Sequence, residues 1–334
     1  MPQGRILIGA FDPVAEMTGG RAYREAVFAA LRKKYDLEVF AAFPGDRGII
    51  PSARLRRILA IVRVKKSKNL WVRDFYPIVA LSLRRNSGKN IGLFLHMQTE
   101  GEEFDLLGRA MQCLFLRNIR KCDCVVSIAG YWRDHLHGLG IRNVRVIRSG
   151  MDLSLFQFEG GEVEAFCRKH GLTGAPIVYV GNCRRSKGVI EVYEALKEKG
   201  YHLVTSGEPD VELPCPNFRL SYHEYLLLLK ASSVVITMSK FREGWCRTAH
   251  EAMLCRTPVI GSGAGGMAEL LEGGKQLVCR DIRELPRMVQ MAITQKERLG
   301  EEGHKFASTL TIERFKSEWL ALIEELVRDS ALPA

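Results

Sequence analysis

Residues 239–272 read SKFREGWCRTAHEAMLCRTPVIGSGAGGMAELLE, and the fold follows from how this stretch is read. The run before it, residues 234–238 (VVITM), is apolar and mostly β-branched, which predicts a strand buried on both faces of a parallel sheet. Residues 239–245 are then the loop leaving that strand's C-terminal edge, the edge at which open α/β sheets bind ligands. The spacing predicts a helix from about Thr248 to Leu254 or Cys255, because Thr248-Ala249-His250-Glu251 has the capping-box pattern and Thr257-Pro258 stops it. The N-terminus of this helix points at the ligand edge, where unpaired N–H groups and the helix dipole favour an anion, and Arg247 adds a full positive charge. A diphosphate suits that position. Glu243, in the loop, would face whatever the phosphate carries, and Glu251, about one turn (~5 Å) along, a second polar group such as a ribose. Two plainer readings stand beside these: Glu251 as the cap of its own helix, and Glu243 as a solvated loop carboxylate.

The succession Glu243-Gly244-Trp245, Glu251-Ala252-Met253, Thr257-Pro258-Val259-Ile260, then Gly265-Gly266 and an acidic helix, resembles the retaining GT-B glycosyltransferases of family four, the glycosyl transferases group 1. The resemblance implies an α/β protein of GT-B architecture, with two doubly wound, Rossmann-like domains facing a central cleft. It implies that Glu243 binds hydroxyls of the donor sugar, that Glu251 binds the ribose, and that the backbone from Gly244 through Trp245 and Cys246 to Arg247 meets the diphosphate or the sugar.

A chain of 334 residues, 46% hydrophobic, can bury a large core and is long enough for two domains. It contains no apolar run near 18 residues, and residues 1–5 lead straight into a strand, so the expectation is a soluble, cytoplasmic protein. The nine cysteines include one close pair, Cys122 and Cys124, and no paired C-x-x-C sets, which predicts reduced thiols and no structural zinc. The net charge of +11 is unevenly spread: residues 1–150 hold 26 Lys and Arg against 13 Asp and Glu, and the remainder 23 against 25. A basic N-terminal half suits an anionic partner, whether membrane lipid, acidic glycan or nucleic acid.

Residues 5–9 read as a first strand, and Thr18-Gly19-Gly20-Arg21 as a glycine turn into a helix whose apolar positions Tyr23, Val27, Ala30 and Leu31 recur at helical spacing. The glycines allow close approach of a ligand, or simply a turn with positive φ. By resemblance they form the loop over donor phosphate and reacting sugar. Residues 37–42 predict a second strand and residues 51–68 a basic helix with a stripe of Leu55, Ile58, Leu59 and Val62 beside Arg54, Arg56, Arg57, Arg63, Lys65 and Lys66. Three readings of that helix are open: a solvated crossover, a surface for a membrane or an anionic acceptor, and nucleic acid, for which no accompanying signature exists. Residues 69–73 and 91–95 read as strands with a helix over 76–83 between them. His96 then falls at a strand end, where it is either a satisfied polar residue or, by resemblance, the histidine beside the donor sugar. Residues 125–128 and 144–147 are strands around a helix over 131–139, and residues 149–156 resemble the segment that crosses between domains.

The pattern restarts at residues 176–180, a strand followed by Gly181-Asn182 and a helix opened by Lys187-Gly188 and running to about Lys199. The expected division is residues 1–151 for the acceptor domain and 152–311 for the nucleotide-sugar donor domain, with a terminal helix over about 312–330 returning to the first. The family's arginine after the glycine is here Asn182, its lysine matches Lys187, and Arg184 or Arg185 is a candidate for the missing guanidinium. Residues 202–205 form a strand, residues 217–224 lead into a Leu-rich helix beside the nucleobase by resemblance, and residues 276–278 and 282–293 add a strand and a helix.

Gly261-x-Gly263-x-x-Gly266 follows a strand and precedes a helix, the form of a dinucleotide fingerprint, but that helix ends by Gly273-Gly274 and is too short for a standard crossover. The reading as a whole predicts a metal-independent transferase that uses a nucleoside-diphosphate sugar and a glycan or lipid-linked acceptor. It predicts no nucleic-acid partner and possible seating on the inner face of an anionic membrane. A non-catalytic nucleotide-sugar or anion-binding protein and a nucleotide-sugar epimerase are the alternatives.

Overall fold

A computed structural model of the chain describes residues 6–11, 19–41, 52–64, 67–85, 87–96 and 106–331. They form two compact units, Met1–Ser149 with Glu313–Ala334, and Gly150–Ile312. The first unit runs β1 (Leu7–Phe11), α1 (Gly19–Arg32), β2 (Asp36–Phe40), α2 (Ala53–Arg63), β3 (Leu70–Arg73), α3 (Phe75–Ala80), β4 (Lys89–Phe94), α4 (Leu106–Ile119), β5 (Cys124–Ser127), α5 (Gly130–Gly138) and β6 (Val144–Val146). Its strands lie in the order β2-β1-β3-β4-β5-β6, all parallel. Chain order reverses between β1 and β3, so the crevice at their C-terminal ends is this unit's switch point.

The second unit runs α6 (Glu162–Lys169), β7 (Ile177–Asn182), α7 (Val189–Leu196), β8 (His202–Ser206), β9 (Asn217–Phe218), α8 (Tyr222–Ala231), β10 (Val234–Thr237), α9 (Arg247–Leu254), β11 (Val259–Gly261), α10 (Met267–Gly273), β12 (Leu277–Val278), α11 (Leu285–Thr294) and α12 (Lys296–Ala307). Its strand order is β12-β11-β10-β7-β8-β9, again wholly parallel, with the reversal between β7 and β10. All four residues of β10 are buried, as a strand covered by helices on both faces must be. Val178, Val180, Val189, Val192, Val234 and Ile260 form the centre of this core. The last helix, α13 (Ile312–Ala331), packs with the first unit: the Phe315 ring meets that of Tyr23 edge-on at 5.2 Å, and Arg145 bonds Glu325 at 2.6 Å.

Several local expectations are corrected. Gly19 and Gly20 are the first residues of α1 rather than a turn, and Thr18 lies outside the described residues. The basic helix is shorter than residues 51–68: Val64 adopts extended dihedrals, Lys68 leaves the helix to pair with Glu38 at 2.6 Å, and Pro51, Lys65 and Lys66 lie outside the described residues. Its stripe is also rotated. α2 buries Ile58 and Ile61 and leaves Leu55 and Leu59 exposed, because the helix packs through a narrower face than the apolar residues span. Three helices had not been expected, α4, α6 and α12. In α4 the signal was present, since Met111, Phe115 and Ile119 are buried at i, i+4, i+8 spacing. Among the described residues no helix is long and apolar enough to cross a membrane, and all nine cysteines are free thiols.

Candidate active site

The site is assembled at the switch point of the second unit, where the loops after β7 and β10 leave adjacent strands. The two loops are joined by their backbones, Lys240 N–H donating to the Ser186 carbonyl at 2.9 Å. Gly188 makes this approach possible: it sits at φ +71°, and a Cβ there would stand 2.3 Å from the Met238 carbonyl oxygen. Lys187 ends a short 3-10 turn, Arg185–Lys187, and α7 begins two residues later at Val189 rather than at Lys187. From the turn its ammonium reaches Glu243 Oε1 at 2.5 Å and lies 4.7 Å from the centre of the Phe241 ring. Ser239 Oγ donates to the same carboxylate oxygen at 2.5 Å. Glu243 is only 8% exposed. It is a buried, charge-compensated carboxylate and not the solvated loop residue of the plainer reading.

The glycine pattern at residues 261–266 holds Glu243 in place. Glu243 N–H donates to the Ala264 carbonyl at 3.1 Å, and Gly266 N–H donates to the Glu243 carbonyl at 2.8 Å. Gly265, at φ +70°, lies so close that a Cβ would stand 2.5 Å from the Glu243 carbonyl oxygen. Gly265 and Gly266 therefore serve the carboxylate loop, and the helix behind them, α10, has seven residues. A dinucleotide fingerprint needs neither feature.

The expected capping box at Thr248 and Glu251 does not form. α9 begins one residue earlier, at Arg247; its N-cap is Cys246 in the left-handed region (φ 56°), and no side chain caps it. Its leading amides are thus left available to an anion. Glu251, 3% exposed, accepts from Arg247 Nε at 2.6 Å and from the Tyr222 hydroxyl at 2.8 Å. Arg247 and Glu251 are four residues apart on one helix face, which makes this pairing accessible where the cap is not. Arg247 also bonds the Tyr222 oxygen at 3.1 Å and lies over its ring at 5.4 Å. Burial first, and then the Glu251 carboxylate, push the Tyr222 phenol well up, so it remains a donor. Tyr222 was missed in the sequence. The readable signal was Ser221-x-x-Glu224, a true capping box, which fixes Tyr222 as the first residue of α8.

The remaining candidates are placed as follows. Trp245 is buried, and its indole N–H donates to His250 Nδ1 at 3.2 Å, so only its backbone is offered to a ligand. Gly244 and Cys246 flank it in the same loop. Asn182 accepts from the Tyr179 hydroxyl at 2.9 Å. Arg184 and Arg185 are exposed in the following loop, where the Arg185 N–H donates to Asp210 Oδ1 at 2.6 Å. Gly19, Gly20 and His96 belong to the first unit, His96 being exposed two residues beyond β4. The structure thus brings Lys187, Ser239 and Glu243 into one cluster and Glu251, Arg247 and Tyr222 into another. Among the described residues no group of three or more His, Cys, Asp or Glu is placed to hold a metal ion.

The sequence model of the family described as glycosyl transferases group 1 matches residues 217–304, which include Glu243, Glu251 and the glycine loop. No curated protein sequence matches the chain significantly. Sucrose-phosphate synthase from Thermosynechococcus elongatus is similar in structure over 97% of this chain and 100% of its own, at 19% identity and a TM-score of 0.80. Anabaena HepE in complex with UDP-glucose is similar over 96% of this chain and 100% of its own, at 17% identity and a TM-score of 0.76. A UDP-forming trehalose-phosphate synthase from Burkholderia xenovorans, in complex with glucose-6-phosphate, is similar over 97% and 100%, at 13% identity and a TM-score of 0.67. The chain has the GT-B fold, and its residues 217–304 match the model of the glycosyl transferases group 1 family.

Proposed function

We propose that the protein transfers a sugar from a nucleoside-diphosphate sugar to a hydroxyl acceptor, with retention of anomeric configuration and without a metal ion. The observation that carries this is the buried Glu243 carboxylate, shared by Lys187 and Ser239 at the switch point beside the uncapped N-terminus of α9. The diphosphate lies on the Lys187 ammonium and the amides from Gly244 to Arg247, with Arg184 or Arg185 in reach of its outer oxygens. Those groups stabilise the charge that grows on the departing phosphate, the role a metal would otherwise fill. As the phosphate takes over Lys187, the Glu243 carboxylate turns to the hydroxyls of the donor sugar, and Glu251 takes the ribose in place of Tyr222. Retention follows if the acceptor hydroxyl attacks from the face the phosphate leaves, giving up its proton to the phosphate oxygen.

UDP is the nucleotide we assign. HepE and the trehalose-phosphate synthase, two structural neighbours, are described with UDP-glucose and as UDP-forming. The first unit takes the acceptor, a glycan or lipid-linked sugar of the kind built into cell-envelope polysaccharide. Its basic composition suits a cytoplasmic protein resting on the inner face of an anionic membrane. The test is a thermal-shift and hydrolysis screen of wild type and Glu243→Ala against UDP-, GDP- and ADP-sugars with EDTA present. Stabilisation by one nucleotide-sugar, with slow sugar release lost in the variant, is expected. Binding without release in any acceptor's presence would leave a non-catalytic nucleotide-sugar protein, and conversion of the donor sugar with no acceptor dependence would leave an epimerase.

A further inference from the structure

A helix without a side-chain cap needs something else to fix the angle at which the chain enters it. α9 is such a helix: Cys246, at its N-cap, holds φ 56° and makes no side-chain bond to it. The residues on either side of the cap supply a substitute. Trp245 precedes the N-cap and His250 is the fourth residue of α9, the two places that a hydrophobic staple joins. Here the join is a hydrogen bond, from the indole N–H to His250 Nδ1 at 3.2 Å, with the rings edge-on at 6.1 Å and both side chains buried. An indole only donates, so Nδ1 accepts and the proton of the neutral ring sits on Nε2. That proton goes to the Ala307 carbonyl at 3.2 Å, one of the carbonyls that the end of α12 leaves without a helical partner. Burial keeps the ring neutral, the form in which both bonds exist at once. The far end of α9 is anchored on the same helix. His304 of α12 pairs through Nδ1 with the Leu254 carbonyl at 3.1 Å, and a Cβ on Gly300 would stand 2.3 Å from the Arg256 carbonyl oxygen. Glu243 is tied to the glycine loop, so Gly244, Trp245 and Cys246 bridge two fixed points, and the Trp245 side chain is bonded into α9.

We propose that His250 is a positioning residue for the anion-binding turn: by holding the Trp245 indole it fixes how residues 244–247 enter α9, and so where their amides point. The inference rests on the proposed diphosphate site for the ligand those amides take, not for the geometry of the turn. His250 lies beneath the turn and acts through Trp245. Amides held in place before the ligand arrives need no ordering when it binds, whereas a turn that must be ordered on binding loses affinity by that cost.

The two ring nitrogens can be tested apart. His250→Asn places an acceptor oxygen near the position of Nδ1 and does not reach Ala307, whereas His250→Gln reaches Ala307 and leaves the indole without its acceptor. Trp245→Phe removes the indole N–H and keeps an aromatic ring. The experiment is calorimetry with UDP on the full-length wild type and these three variants, with a thermal melt of each. His250→Gln and Trp245→Phe lose about tenfold in affinity and His250→Asn less than about threefold, whatever the order of their melting temperatures. In proton–nitrogen correlation spectra, the indole resonance that Trp245→Phe removes shifts in His250→Gln and keeps its place in His250→Asn. A merely structural role would lower the melting temperatures and leave the affinity of the folded protein unchanged. Affinities within about twofold of wild type in both His250→Gln and Trp245→Phe, or equal losses in His250→Asn and His250→Gln, overturn the inference. Should His250→Gln not fold, Trp245→Phe against His250→Asn decides on the same terms. If wild type binds no UDP, the donor assignment fails and the turn is judged by amide exchange. The Ala249 and His250 N–H groups, bonded to the Cys246 carbonyl at 3.1 and 3.3 Å, then exchange faster in His250→Gln and Trp245→Phe than in His250→Asn. Equal exchange in all three overturns the inference.

Discussion

The Lys187 ammonium and Glu243 Oε1 stand 2.5 Å apart, although 56 residues separate them in the chain. Each comes from the loop after one of the two strands that flank the second unit's switch point. The pair holds a cation where a diphosphate is to be bound and a carboxylate where a sugar is to be bound, each neutralised by the other until the donor arrives. Lys187→Met is expected to weaken UDP binding at least about tenfold and to lower stability by about 2 kcal/mol, because it leaves a largely buried carboxylate without its cation. Calorimetry with UDP and a thermal melt read the two effects separately.

Glu243→Gln keeps the shape of the side chain and removes its charge. Sugar release from the donor should fall about 100-fold or more, as for other losses of a group aimed at the reacting centre. UDP affinity should stay the same or improve, since Lys187 is released to the phosphate. A parallel loss of UDP affinity would show that Glu243 serves the nucleotide instead.

Glu251→Gln tests the second cluster. Because Glu251 does not cap α9, the stability cost is only that of weakening its charge-assisted bond from Arg247, about 1–2 kcal/mol, while UDP binding should weaken about tenfold in calorimetry. Tyr222→Phe, which removes one hydroxyl from the same carboxylate, should cost about 1 kcal/mol or less in stability.

His250 predicts a pH dependence of stability. It is fully buried, accepts from the Trp245 indole through Nδ1 and pairs with the Ala307 carbonyl through Nε2, so it is held neutral. Burial lowers its pKa to about 4 from 6.5. The unfolded chain takes up a proton as pH falls below about 6.5 and the folded chain does not, so stability is lost between pH 6.5 and 4, by roughly 3 kcal/mol in all. Chemical denaturation across that range should show this slope, and His250→Gln should flatten it.

Backbone strain in the site loop gives a further comparison. Cys246 holds φ 56° immediately before α9, a conformation that costs a residue with a Cβ about 1 kcal/mol more than glycine. Cys246→Gly should therefore be more stable than Cys246→Ala by about that amount, both having lost the thiol. Gly265→Ala should do the reverse: its Cβ would be driven into the Glu243 carbonyl, and both the melting temperature and sugar release should fall.

The legible parts of this chain were those where local chemistry has only one outcome. The run VVIT at Val234–Thr237 could only be an inner strand, and a glutamate after such a strand had to stand at the ligand edge. Lys187 was singled out by the family resemblance, and the structure places it in the loop after the paired strand β7. The capping box at Thr248 was misread because its spacing also suits an Arg247–Glu251 pair, and which forms depends on Tyr222, 29 residues away from Glu251. The glycines at Gly261, Gly263 and Gly266 matched a nucleotide pattern, yet Gly266, with Gly265, supports a carboxylate loop, while Gly261 and Gly263 pack against Leu271 and Val278.

The sequence by itself determined two wholly parallel sheets and the strand ends at which ligands bind, because β-branched runs alternating with amphipathic helices leave no other way to bury both faces of a strand. Only the tertiary structure decided which side chains meet there. Lys187 with Glu243, Tyr222 with Glu251, and Arg24 with Asp74 are joined across 56, 29 and 50 residues by strand order, a property of how strands pair and not of any local stretch of chain.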